Sequence, residues 1–172
     1  ETPRATRGQA GALSVRMPPR TGPLVPADLD RVAAVVSAYD RRADVVVVLP
    51  HWGTQYTHRP EPVQRRVARR LVAAGADLVA GGRPHWVQGV ESVGGVPVVH
   101  SLGNFVFDMD FMEQTMEGVL LEATFWGAEL KAVRFVPYRM DAGSFAPRVV
   151  DGEVGRGVLD DLFGSSRGPW AP

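Results

Sequence analysis

The sequence predicts a layered α/β domain whose sheet is parallel in one half and antiparallel in the other. Three observations carry that expectation. Residues 28–80 read helix, strand, helix, strand, a crossover unit that requires parallel strands with helices laid on the sheet. After Gly81 the pattern changes to apolar runs joined by short turns at Gly94–Gly95 and Gly127–Ala128, which read as hairpins. Three apolar runs also lead directly to histidines, His51, His85 and His100. Open α/β sheets place their sites at such strand C-terminal ends.

The elements follow in order. Residues 1–27 hold Pro3, Pro18, Pro19, Pro23 and Pro26 with three glycines, a loop-like lead-in with at most one short strand at Ala12–Met17. Asp28 is placed to cap a helix in which Leu29, Val32, Val36 and Tyr39 recur at helical spacing. Asp44–Pro50 is a continuous apolar run, as expected of a strand covered on both faces. His51–Arg59 reads as a loop. Pro60 and Pro62 open a second helix that runs to about Ala74, with Val63, Val67 and Leu71 inward and Arg65, Arg66, Arg69 and Arg70 outward; Gly75 stops it. Asp77–Ala80 is the next strand. Val90–Val93 pairs with Val96–His100, and Gly118–Trp126 with Glu129–Tyr138. The last stretch carries a short strand at Arg148–Val150 and a short helix at Val158–Phe163. The chain therefore divides into a lead-in at 1–27, a domain at 28–150, and a short helix and tail at 151–172.

Composition narrows the function classes. Of 172 residues, 45% are hydrophobic, enough for a core, and 19 Lys and Arg balance 19 Asp and Glu. A net charge of zero gives no broad attraction to nucleic acid. No apolar run reaches the roughly 18 residues of a membrane helix. There is no cysteine, so any metal ligand is His, Asp, Glu or Asn. The first residue is Glu1, as in a processed product or a fragment.

The candidate site residues have two readings each. His51, directly after a strand, suits a metal or a proton-transfer role, or it ends the strand by bonding a loop carbonyl. His85 repeats the placement; on a neighbouring strand about 4.8 Å away, both rings would emerge at one sheet edge. Arg83 offers a fork of donors for phosphate or carboxylate, or is an exposed loop arginine. His100 and Asn104 flank Ser101-Leu102-Gly103, where Asn104 can present an oxygen to a metal, donate to a phosphoryl oxygen, or form a local turn. His58 is expected to be solvent-exposed, and Asp108, Asp110 and Glu113 to be a solvated acidic loop. No P-loop, nucleophile elbow, zinc-protease or dinucleotide-binding motif is present.

The segments HWGTQY, GADLVAGGRPHWVQ and HSLGNFVFD, in this order, resemble the C-terminal half of the CapA-type bacterial capsule synthesis (poly-γ-glutamate synthesis) family, within the calcineurin-like metallophosphoesterase superfamily. The family patterns have the form HWGxEY, GADxVxGxHPHxxQ and YSLGNFxFD. The resemblance implies an α/β/β/α metallophosphatase sandwich, here its C-terminal part. It also implies a site for divalent metal ions (Mn, Fe or Zn) and a metal-dependent phosphoesterase or other hydrolase. Carried onto this sequence, His51 and His85 match histidine ligands, and Asn104 lies beside the site. A cell-envelope or extracellular setting is implied likewise, as are an anionic polymer or phosphoryl substrate and an N-terminal half of the domain as partner.

Three departures bear on that implication. Arg83 replaces the first histidine of the HPH pattern, Gln55 replaces the glutamate of HWGxEY, and His100 replaces the tyrosine before Ser101. A guanidinium stays protonated and cannot ligate a metal. The substrate contacts expected at the site are Arg83, Asn104, His100 and Gln55. The departures at Arg83 and Gln55 favour the alternative expectation, an inactive module that grips an anionic polymer.

Overall fold

Valines at positions 98 and 99 sit side by side in the chain and face opposite cores. Both are fully buried, Val98 in a cluster with Leu29, Ala33, Val67 and Leu71, and Val99 in one with Val87, Val90, Val119, Val158 and Leu162. Strand alternation makes this arrangement: successive side chains leave a strand on opposite faces. A sheet with cores on both sides is the middle of a layered α/β fold, as the sequence predicts. The computed structural model describes residues 8, 9 and 11–172.

The central sheet has four strands, β1 (Val47–Val48), β2 (Leu78–Ala80), β3 (Val87–Val93) and β4 (Val96–Leu102), in the order β1-β2-β4-β3. β1, β2 and β4 are parallel, and β3 is antiparallel to β4. Helices α1 (Pro26–Asp40) and α2 (Pro62–Val72) cover one face. The other face meets a second, antiparallel sheet of β5 (Glu117–Trp126), β6 (Glu129–Met140) and β7 (Pro147–Val149), and helix α3 (Gly152–Phe163).

Local chemistry sets these boundaries. α1 begins at Pro26, whose fixed φ suits the first helical position. Asp28 is not its cap; it lies buried inside the first turn and accepts from Arg16 Nε at 2.7 Å and Arg31 at 2.6 Å. α2 begins with a capping box between Glu61 and Gln64 behind Pro62.

Several elements differ from expectation. Only Val47 and Val48 of the Asp44–Pro50 run are paired as a strand. No strand forms among the described residues of Ala12–Met17, and residues 1–7 and 10 of the lead-in lie outside the described part. Arg65 is not outward: it is 8% exposed and paired with Glu91. α3 starts six residues before the expected Val158, and it buries Val158 and Leu162. No helix among the described residues is long and apolar enough to cross a membrane.

Candidate functional site at the strand ends

Beyond β1 and β2 the parallel pairing continues for one more step, and it carries the first histidine. His51 and Gly82 form a parallel bridge, closed by Gly82 N donating to Pro50 O at 2.9 Å and Trp52 N donating to Gly82 O at 3.1 Å. Tyr56 N then donates to Pro84 O at 2.8 Å. The two loops that leave the strands, 51–59 and 81–86, are thus tied backbone to backbone. Arg83 adds a side-chain tie, donating to the carbonyl of Gly53.

Trp52 anchors this assembly from beneath. It is buried, its Nε1 donates to His100 O at 2.8 Å, and its ring stacks on His100 at 5.7 Å between centroids. Gly81 makes room for that contact: a Cβ there would lie 2.2 Å from His100 O and 2.5 Å from Trp52 Nε1.

His85 is oriented by Asn104, whose Oδ1 lies 2.8 Å from His85 Nδ1. Asn104 Nδ2 donates to Thr115 O at 2.9 Å, which fixes Oδ1 as the acceptor toward the ring. His85 Nδ1 is therefore the donor, and its Nε2 faces away from this pair. The Asn104 carbonyl accepts from Tyr138 Oη. Burial holds the Tyr138 phenol far above its usual range, so it remains a donor. Gly103 at φ 82° lets the Ser-Leu-Gly-Asn turn close against Glu117 and bridge Gly118. Tyr56 stacks on His85 at 5.9 Å and Phe107 packs at 5.7 Å.

The local field is positive. His51 reaches solvent, yet partial burial, then Arg83, His85 and Arg20, hold its proton affinity below the usual imidazole range. Burial and Arg20 lower Arg83 in the same way, while Glu61 opposes them. Four non-glycine residues of the loops here adopt left-handed backbone: Tyr56 (φ 60°), Arg83 (φ 93°), His85 (φ 64°) and Val106 (φ 47°). Such conformations are costly and concentrate at functional sites.

The residues do not by themselves fit a metal centre. Among the described residues no three His, Asp or Glu side chains come together as a metal-binding group. His51 and His85 offer two nitrogens, and the Arg83 guanidinium beside them repels a cation. The Arg83 guanidinium beside the exposed His51 ring suits an anion instead, which the guanidinium can hold by charge-assisted hydrogen bonds.

The structure brings His51, Arg83, His85 and Asn104 to one end of the sheet. Gln55 is exposed in the 51–59 loop. His100 is a correction: β4 runs on to Leu102, so His100 lies inside the strand, fully buried, with Nε2 3.0 Å from Glu91 Oε1. It faces the helix layer and cannot touch a ligand. His58 is a second correction, since its side chain is 24% exposed, with Nδ1 2.9 Å from Val87 O and Nε2 3.5 Å from Asp161. Among the expected acidic-loop residues, Glu113 pairs with Arg139 at 2.6 Å.

Supporting residues escaped the sequence reading. Gln64 and Gln88 are fully buried and bonded at 2.9 Å, and Gln88 Nε2 donates to Thr57 O at 2.9 Å, which fixes the loop bearing Tyr56. Gln88 closes the Trp-Val-Gln of the second motif, where a buried amide after apolar residues was the available signal.

Comparison with known proteins gives a consistent picture. The family described as "Bacterial capsule synthesis protein PGA_cap" matches residues 2–109. A PGA biosynthesis protein CapA of Bacillus subtilis is 37% identical over 99 residues, covering 58% of this chain and 26% of that protein. A capsule biosynthesis protein CapA of Bacillus anthracis is 31% identical over 139 residues, covering 80% of this chain and 34% of that protein. A probable polyglutamine synthesis accessory protein of Mycobacterium tuberculosis is 35% identical over 81 residues. The chain spans between a quarter and about a third of the length of the first two.

Proposed function

The chain belongs to the bacterial capsule synthesis family PGA_cap, and from that premise we propose that it serves capsule-polymer biosynthesis by holding an anionic, carboxylate-bearing polymer at the strand-end site. Arg83 and His51 face the charge, Asn104 sets the orientation of His85, and Tyr56 and Phe107 wall the site. A poly-γ-glutamate chain presents one carboxylate per repeat, which matches a small cationic site that grips a single group at a time.

One observation carries this reading. The left-handed backbone at Arg83 and His85 holds a guanidinium and an imidazole on one short loop, against the conformational preference of both residues. The adjoining ties, Arg83 to Gly53 and His85 to Asn104, support the same geometry.

The test is calorimetric titration of a short γ-glutamate oligomer into the purified chain at low salt. Binding should weaken about tenfold in Arg83→Gln, the loss of one charge-assisted bond, and should fall with added salt. Equal affinity in wild type and variant would exclude Arg83 from the contact.

A second reading, metal-dependent phosphoesterase action, draws on the metallophosphatase-like superfamily to which the family belongs. Its support here is that His85 lies near enough to His51, at one sheet end, for its charge to act on the His51 ring. Mn, Fe or Zn would need further donors from outside the described residues. Elemental analysis before and after His51→Ala and His85→Ala decides it: no metal above background in wild type removes this reading for the chain.

A further inference from the structure

Helix α2 carries four positive charges and no negative one. Its sequence holds Arg65, Arg66, Arg69 and Arg70 and neither Asp nor Glu. Two of the four have partners: Arg65 is buried against Glu91, and Arg70 donates to Asp30 of α1 at 3.1 Å. Arg66 and Arg69 are exposed and pair with no carboxylate among the described residues. Solvated helix faces ordinarily alternate the sign of their charges. α2 instead sets Arg66 three residues from Arg69 and four from Arg70, spacings at which like charges destabilise a helix. The helix dipole favours cations in the last turn, which accounts for Arg69 and Arg70 but not for Arg66.

These arginines line a groove. Between α1 and α2 lies a concavity of about 340 Å³, with Arg66, Arg69 and Arg70 on the α2 side and Leu24, Leu29 and Asp30 on the α1 side. Asp30 is the one acid that lines it and is already bound to Arg70, so Arg66 and Arg69 leave the groove positive. A ligand that fits combines anionic groups with short apolar stretches. The guanidiniums take the first by charge-assisted hydrogen bonds, and the apolar wall takes the second.

We propose that the groove between α1 and α2 is a second binding site for the carboxylate-bearing polymer, with Arg66 and Arg69 as its anion contacts. A γ-glutamate chain has both parts in every repeat, a carboxylate and two methylenes. α2 starts beside the strand-end site, where the charge of its N-cap Glu61 acts on Arg83. Arg66 and Arg69 follow five and eight residues after Glu61, about 8 and 12 Å along the axis at roughly 1.5 Å per residue. One polymer chain can therefore reach both sites, and two contacts on one chain bind far more tightly than either alone. The inference rests on the anionic-polymer reading for its ligand, and not on Arg83 as a contact.

The experiment titrates a ten-residue γ-glutamate oligomer into the 172-residue chain at low salt, followed by calorimetry and by NMR of the arginine Nε–H groups. The Arg66 and Arg69 signals should shift, and Arg66→Gln/Arg69→Gln should weaken binding at least about tenfold. Both side chains are exposed, so that variant folds. Arg41→Gln/Arg42→Gln removes the same charge just past the end of α1, outside the groove, and should change the affinity less than about threefold. In Arg83→Gln the Arg66 and Arg69 signals should still shift. Equal affinity in wild type and Arg66→Gln/Arg69→Gln, unmoved Arg66 and Arg69 signals, or an equal loss in Arg41→Gln/Arg42→Gln would each overturn the proposal. So would no binding of the oligomer, or groove signals that answer to phosphatidylglycerol vesicles in its place, which would make the occupant a lipid. A loss in Arg66→Gln/Arg69→Gln with none in Arg83→Gln would uphold the groove and remove the strand-end site.

Discussion

His85 and Asn104 form a fixed pair across two loops: Asn104 Oδ1 accepts from His85 Nδ1 at 2.8 Å, while Asn104 Nδ2 is committed to Thr115 O at 2.9 Å. The amide has no freedom to flip, because flipping would set a donor against a donor at Nδ1 and an acceptor against the Thr115 carbonyl. The pair therefore assigns the tautomer of the ring, a role usual for residues behind a functional histidine.

Asn104→Ala should cost about 1–3 kcal/mol, since it orphans a buried carbonyl and the ring donor. The urea midpoint measures that loss. The ring nitrogens of His85 measure the orientation: in wild type, nitrogen NMR should show Nδ1 protonated in the neutral ring, and in Asn104→Ala a mixture of tautomers. A variant that keeps a pure Nδ1–H form would detach Asn104 from this role.

Gly81→Ala tests the closeness of Trp52 to the β4 backbone. A methyl group would sit 2.2 Å from His100 O, a contact that only backbone movement relieves. Overpacking of this sort costs typically about 1–3 kcal/mol. Gly82→Ala is the matched control, because nothing lies within 4 Å of a Cβ there. Thermal unfolding should separate the two neighbours by several degrees.

The buried trio Arg65, Glu91 and His100 makes stability pH-dependent. Burial, outweighing the pull of Glu91, holds His100 below its usual 6.5. Burial pushes Glu91 up, but His100 and Arg65 outweigh it and hold the carboxyl below its usual 4.5. Both groups bind protons more readily in the unfolded chain. Their contribution is therefore complete above about pH 6.5 and drains away as pH falls, first through His100 and then, below about 4.5, through Glu91. Urea midpoints at pH 7 should exceed those at pH 5, and His100→Asn should flatten that interval. Arg65→Met should cost about 3 kcal/mol by leaving Glu91 buried without its countercharge, with part recovered in Arg65→Met/Glu91→Gln.

That trio also shows where the sequence was legible. The parallel half could be read because its helices keep a 3.6-residue period and its strands are unbroken apolar runs. His51 and His85 could be placed because each follows such a run directly. His100 could not, because its fate turned on parity. β4 continues two residues beyond it, and the strand faces it with Val98 toward the helix layer, opposite Glu91. A strand end two residues earlier would have freed it. α3 was hidden by Gly152, Gly155 and Gly157, which lower helix propensity, while the packing of Val158 and Leu162 against β3 and β6 stabilises it. β1, for its part, pairs along one edge alone among the described residues.

Arg83→Gln gives the sharpest test of the field at the site. Partial burial is the first cause of the low proton affinity of His51, and Arg83 is the second. Removing the guanidinium should raise the His51 pKa without returning it to 6.5, because the burial remains. An anion bound beside His51 acts in the same direction, since it stabilises the imidazolium. In wild type, a γ-glutamate oligomer should therefore raise the His51 pKa, and by linkage its affinity should grow as pH falls through that pKa. In Arg83→Gln the free pKa starts higher and the oligomer moves it less. Carbon-detected titration of the His51 ring reads both quantities in one series. If the oligomer leaves His51 unmoved in wild type while still binding, the polymer sits elsewhere on the molecule. The positive cluster at residues 51, 83 and 85 would then serve to hold the loops rather than a ligand.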